Sequence, residues 1–277
     1  MRPRTRSLAL AGMALPAMLV MAGFFLLPVA AIVLDAFSEG TRAFGRVLAL
    51  PRFLPSLVGS LVLTAVAVSL SVGVGLAVAL HLSRLPERQR TLLSFVIALP
   101  LTFSGLIVAY GFILGYGRAG FVTQLLAFAG LDPVTVGGAL FTPTGLAFAS
   151  SYYLVPRVVM TLLPVFVNFD RSLLRAAESL GATPAQAFRQ VFLPQVASVV
   201  VAAACLVAAV VFGAYGTAIA LVGTDLDILP LQLYSLVSDT GSDFPAAAAL
   251  ALLITAACSA IIGVGQWVAG RQERHLP

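Results

Sequence analysis

The side chains that could do chemistry in this sequence are few, and what is missing excludes most of the sites they could build. All 16 basic residues are Arg, and Lys is absent. A phosphate-gripping P-loop needs a Lys on the β- and γ-phosphates, and Schiff-base chemistry needs an amine, so neither is available to this chain. Cys205 and Cys258 both lie in apolar runs, and His81 and His275 are far apart, so no Cys/His ligand set of metal-binding spacing exists. A serine nucleophile would need a His within reach; His81 sits near the end of an apolar run and His275 in the tail. No catalytic residue and no metal ligand are expected. What remains is a cation deep in an apolar run, Arg157 in SYYLVPRVVM. Such a group either faces a polar path or a neighbouring helix, or lifts its guanidinium on a long stem to the headgroups. Tyr110, Tyr153, Tyr215 and Thr217 join Arg157 as candidate lining of that path, together with Ser150, Ser151 and Tyr152. Their alternative role is to pack or hydrogen-bond between helices.

The elements that must position these groups are set by composition. The chain has 277 residues, 60% hydrophobic and 10% charged, with a mean hydropathy of +1.03. A soluble domain of this length carries about 25% charge, and the uncharged runs here are long enough to cross a hydrocarbon core of ~30 Å repeatedly. The expected fold is therefore all-α and integral to a membrane, with six spans at approximately 8–34, 55–82, 91–116, 144–167, 195–222 and 245–270 in one domain covering 1–277. The first run is too long for the apolar core of a signal peptide and is read as a retained span. The net charge of +5 reflects Arg gathered in membrane-flanking loops, not nucleic-acid binding.

Orientation follows from where those Arg fall. The N-terminal tail, the stretch from Arg84 to Arg90, the loop after the fourth span and the C-terminal tail hold eleven Arg, against four in the alternate loops at Arg42, Arg46, Arg52 and Arg118. The Arg-rich side is cytoplasmic, which places both termini inside and the loop carrying Asp225, Asp227, Asp239 and Asp243 outside.

One loop is unlike the rest. From Asp170 to Pro194 the chain reads DRSLLRAAESLGATPAQAFRQVFLP, two short helices with a hinge. Asp170 can cap the first, along which Leu173, Ala177 and Leu180 recur at helical spacing. Gly181 can stop it in the left-handed conformation. Thr183 and Gln186 form a capping box for the second helix, with Pro184 at its first position, and Pro194 is read as its end. Helices of this length are marginal alone, and the like-charge pair Arg171 and Arg175, with Glu178 one turn on, suggests an acidic partner surface.

Ala176, Ala177, Gly181, Val191, Leu193 and Pro194 resemble the signature loop of binding-protein-dependent ABC importer permeases, E-A-A-x3-G-x9-I-x-L-P. The resemblance is closest from Tyr152 to Gly223 and has the flavour of the polyamine, ferric iron and phosphonate branch. The family's leading Glu is Arg175 here, with the acid displaced to Glu178. Many relatives also carry an acid near the place of Ala214, and this chain does not.

The resemblance implies a type I ABC importer transmembrane domain with cytoplasmic coupling helices, in a bacterial inner membrane. It also implies partners: a pair of ATPase subunits that bind the ATP and Mg²⁺ this chain does not, a second permease as homo- or heterodimer, and an extracytoplasmic solute-binding protein. Coupling to the ATPase falls by resemblance on the loop 170–194, with Arg171, Arg175, Ala176, Ala177, Glu178, Leu180, Gly181, Ala182, Thr183, Pro184, Phe188, Leu193 and Pro194. The competing expectation is an ion-coupled secondary transporter, which would call for carboxylates within the spans.

Overall fold

The structure, a computed structural model, describes residues 16, 18–223, 225–238 and 243–273. Arg2, Arg4, Arg6, Asp239 and His275, and the start of the expected first span, lie outside the described residues. Among those described, all regular structure is helical. Six stretches are long and apolar enough to cross a membrane: Met18–Ala36, Phe53–Leu82, Gly105–Phe128, Pro143–Val167, Pro184–Phe212 and Phe244–Gly270. The chain divides into two compact units, residues 1–53 with 233–253 and residues 54–232 with 254–277.

In the smaller unit, helix α1 (Met18–Ala36) contains a π-helical turn at Ala22–Leu26. Asp35 falls in its last turn, one residue beyond the expected span end. The following stretch was expected to be a loop and instead contains α2 (Arg42–Ala49), a short amphipathic helix that buries Ala43 and Val47. Arg46 on its outer face clamps Asp243 through two N–H···O bonds of 2.8 and 2.9 Å and also pairs with Glu39. Asp243 in turn accepts the Ala246 N–H, and with these donors its carboxyl is held below the usual carboxylate range, the Arg46 bond contributing most.

The larger unit carries most of the core. Helix α3 (Phe53–Leu82) presents a buried stripe of Ser56, Ser60, Thr64 and Ser71, small residues that let helices approach closely. Ser60 accepts the N–H of Leu229 at 2.9 Å, and Gly59 and Gly75 leave room for the Asp227 carbonyl and the Val158 side chain. The expected third span, 91–116, is not one helix. It is α4 (Glu87–Ala98), a 3₁₀ turn at Leu99–Thr102, extended residues at Phe103 and Ser104, and α5 (Gly105–Tyr116). Pro100 supplies no N–H to continue α4, and Ser104 restarts the chain by accepting the Ile107 N–H. After a turn at Gly117–Gly120 come α6 (Phe121–Phe128) and α7 (Pro133–Gly138), the latter capped by Asp132.

Helix α8 (Pro143–Val167) is the centre of this unit. Its apolar window is 61% buried, against 39% or less for every other span. Leu146, Leu154, Val158, Val159, Leu162 and Phe166 fill the core around it. Then follow α9 (Ser172–Ser179), α10 (Pro184–Phe212) and α11 (Gly216–Val222). The expected fifth span of 195–222 is thus interrupted at Gly213–Tyr215. Its N-terminal limit also moves, because Pro194 does not end the second short helix. A π-helical turn at Phe188–Phe192 carries that helix without a break into Leu193–Phe212. The wider π hydrogen-bonding pattern reaches Leu193, whose N–H meets the Phe188 carbonyl, and Pro194, with no N–H, sits in the first turn beyond it. The chain closes with α12 (Leu229–Ser238) and α13 (Phe244–Glu273); the division between units runs through both.

Candidate functional site

The loop 170–194 is built as its sequence directs, with two changes. Asp170 accepts the Ser172 N–H at 2.8 Å, and that bond is the main reason its carboxyl lies below the ordinary range. Gly181 has φ +92°, the left-handed stop that a side chain resists. Thr183 accepts the Gln186 N–H while the Gln186 side chain accepts the Thr183 N–H at 2.8 Å, a complete capping box with Pro184 in the first turn. The first change is the early helix's apolar face. Leu174 packs against the core and Ala177 is half-buried, whereas Leu173 is exposed and Leu180, beside the glycine, is 90% exposed. The second change is the continuous join to α10 described above.

Two contacts fix this loop to the bundle. Arg171 donates to the Ser83 carbonyl at 2.9 Å, just past the C-terminus of α3, where a guanidinium also meets the negative end of the helix dipole. Phe192 is buried among aromatic rings, with centroids 5.3 Å from Phe166, 4.9 Å from Phe169 and 5.0 Å from Phe188. Of these rings only Phe188 was singled out from sequence. The i, i+4 spacing of Phe188 and Phe192 was the available signal for the rest. Arg175, Ala176, Glu178, Thr183, Pro184, Phe188, Leu193 and Pro194 are exposed, and Ala182 is half-buried. The loop therefore has an anchored root and a bare tip bearing Leu180 and Gly181.

The candidates for a polar path divide. Tyr153 on α8 and Thr217 on α11 come together, their oxygens 3.4 Å apart, and Thr217 donates to the Gly105 carbonyl at 3.2 Å. Thr217 is only 2% exposed, so it serves as a bond between helices, of a kind measured at about 0.6 kcal/mol on average. Tyr110 and Tyr215 are exposed on α5 and just before α11. Arg157 is half-buried, and among the described residues its guanidinium has no hydrogen-bond partner. Tyr152 lines a cavity of about 360 Å³ with Phe103, Ile107, Gly111, Phe112 and Tyr116. Phe112, Tyr116 and Tyr152 of its wall join Phe148 in an aromatic cluster, with centroid separations of 5.5–5.8 Å.

Residues 71–276 match the family described as binding-protein-dependent transport system inner membrane component. The chain belongs to that family. Its relatives include sulfate permease 2 of the Chlamydomonas reinhardtii chloroplast, 31% identical over 62% of this chain and 45% of that protein. The spermidine/putrescine permease protein PotB of Salmonella typhimurium is 29% identical over 57% of this chain and 54% of its own length. The chain thus spans about half the length of these first relatives. It spans more of the sulfate permease protein CysT of Escherichia coli, at 29% identity over 84% of this chain and 82% of that one. In fold it is similar to a chain in the crystal structure of a bacterial alginate ABC transporter bound to its alginate-loaded periplasmic protein. That likeness has a TM-score of 0.74, 18% identity and 96% coverage of both chains. The fold is that of a type I ABC importer permease, an all-α, multi-pass membrane architecture, and relatives of this family are transport subunits and not enzymes.

Proposed function

We propose that this protein is the permease subunit of an ATP-driven importer in a bacterial cytoplasmic membrane. In this reading it pairs with a second permease to enclose a path for a small solute. An extracytoplasmic binding protein delivers the solute, and two ATPase subunits dock on the cytoplasmic face. The chain has no P-loop lysine of its own, so the work must arrive through a contact. The loop 170–194 is the contact: its root is fixed by Arg171 and Phe192, and its tip offers Leu180 and Gly181 to a groove on the ATPase. Closure of the ATPase pair around ATP then displaces the tip and tilts the helices rooted in it, switching the path from inward-open to outward-open. Family relatives named for their solutes include both spermidine/putrescine and sulfate permeases, so the family alone leaves the sign of the solute's charge open.

The observation that carries the reading is a leucine 90% exposed beside a left-handed glycine at the tip of an otherwise anchored element. Burying such a side chain against a partner is worth about 1.5–3 kcal/mol, whereas in the isolated chain it packs on nothing. The test is Leu180→Asp. The variant should fold and insert normally, yet lose co-purification of the ATPase and solute-stimulated ATP hydrolysis. Wild-type recovery of the complex by Leu180→Asp rules out the tip as the docking point.

A further inference from the structure

Helix α8 is the most buried span among the described residues, and its C-terminal half leaves a narrow polar face open. Arg157, Thr161, Pro164 and, just past its end, Asn168 follow one another at steps of three or four residues, each half-buried or exposed, while Leu154, Val158, Val159, Leu162 and Phe166 on the other sides are buried. The open side of α3 is mostly aliphatic by contrast, with Leu54, Val58, Leu61, Val62, Val66, Leu70 and Val74 exposed alongside Ser69. The α8 face has the opposite balance, with an Arg, a Thr and an Asn among its four residues. Its backbone is also more polar than usual, since Pro156 and Pro164 within the helix withhold two N–H groups and leave the Tyr152 and Met160 carbonyls without their regular donors. Such carbonyls at membrane depth are tolerated where they meet protein or a water-filled space.

The face carries a charge. Arg157 stands fourteen residues from the outer end of α8 and ten from the inner, about 21 and 15 Å along the axis, close to the middle of the bilayer. The spans of the larger unit contain no Asp or Glu to neutralise it, and the hydroxyl of Thr161 one turn below is spent on the Arg157 carbonyl at 2.8 Å. Tyr152, five residues above and about 140° around the helix, lines the 360 Å³ aromatic cavity on a different side of α8.

We propose that this face of α8 lines the solute path and that Arg157 receives an oxyanion group of the solute, a carboxylate, sulfate or phosphate-type group. The cation's long-lived partner is the cargo, which exchanges water for the guanidinium's paired N–H donors and leaves when the path opens inward. The inference rests on the importer reading and adds the class of solute to it.

The test places Thr161→Cys in the assembled complex, with Cys205 and Cys258 changed to Ala. The thiol is labelled in nucleotide-free and ATP-bound states with a sulfonate-bearing and a trimethylammonium-bearing methanethiosulfonate, each rate normalised to that with a free thiol. The sulfonate reagent should react at least about tenfold faster in one of the two states, and adding Arg157→Gln should abolish that preference. No labelling in either state, equal rates for the two reagents, or a preference that survives Arg157→Gln overturns the proposal. So does failure of the Arg157→Gln chain to assemble, which would make the guanidinium an interchain ion-pair partner. Failure of the unmodified chain to recover any ATPase strikes the importer reading itself and is scored separately.

Discussion

Gly181 and Thr183 set the shape of the loop 170–194 with two different devices, and they respond differently to substitution. At φ +92° with no atom within 4 Å of an added Cβ, Gly181→Ala meets no neighbour and suffers only backbone strain, about 1–2 kcal/mol. Thr183→Ala removes one half of the capping box, at about 1 kcal/mol. Amide exchange across residues 172–187 should accelerate about five- to thirtyfold in Gly181→Ala and about fivefold in Thr183→Ala. Gly181→Asn should stay close to wild type, because Asn tolerates the left-handed region. Unchanged exchange in Gly181→Ala would show that the glycine is not what stops the helix. These local devices were legible in the sequence because each acts through its own neighbours in the chain. The outward turn of Leu180 was not, since periodicity marks an apolar face without saying whether the bundle covers it.

Between elements, what mattered was where prolines and small residues fall. Pro100 broke one expected span, whereas Pro156 and Pro164 sit inside α8 and Pro194 opens the straight portion of α10. A proline only withholds an N–H; whether the helix stops depends on whether the surrounding pattern can do without it, as the π turn before Pro194 does. That is a tertiary matter and explains why the span boundaries moved while the number of spans did not. Gly75 illustrates the packing side. A Cβ there would lie 2.6 Å from a Val158 methyl carbon. Gly75→Ala should therefore destabilise the detergent-purified protein by about 1–3 kcal/mol, read as a lower unfolding temperature. Combined with Val158→Ala, the loss should be smaller than the sum of the two single changes; strict additivity would mean that these helices do not meet there.

For the whole molecule, the eleven-to-four Arg asymmetry remains the argument for orientation. A cysteine introduced at Leu180 should accept a membrane-impermeant thiol reagent only after cells are permeabilised, and one at Asp225 should accept it in intact cells. The reverse pattern would invert the topology and detach the loop from any cytosolic partner. The uninterrupted passage from Pro184 to Phe212 then acquires a mechanical meaning. Twenty-nine residues make a rod of about 43 Å, so a tilt of about 5° applied at its Pro184 end sweeps the far end through about 4 Å. A displacement of that size exceeds a hydrogen bond's length and is enough to separate a pair of packed side chains, so a small push at one membrane face is delivered to the other as a lever delivers it, without slack in between.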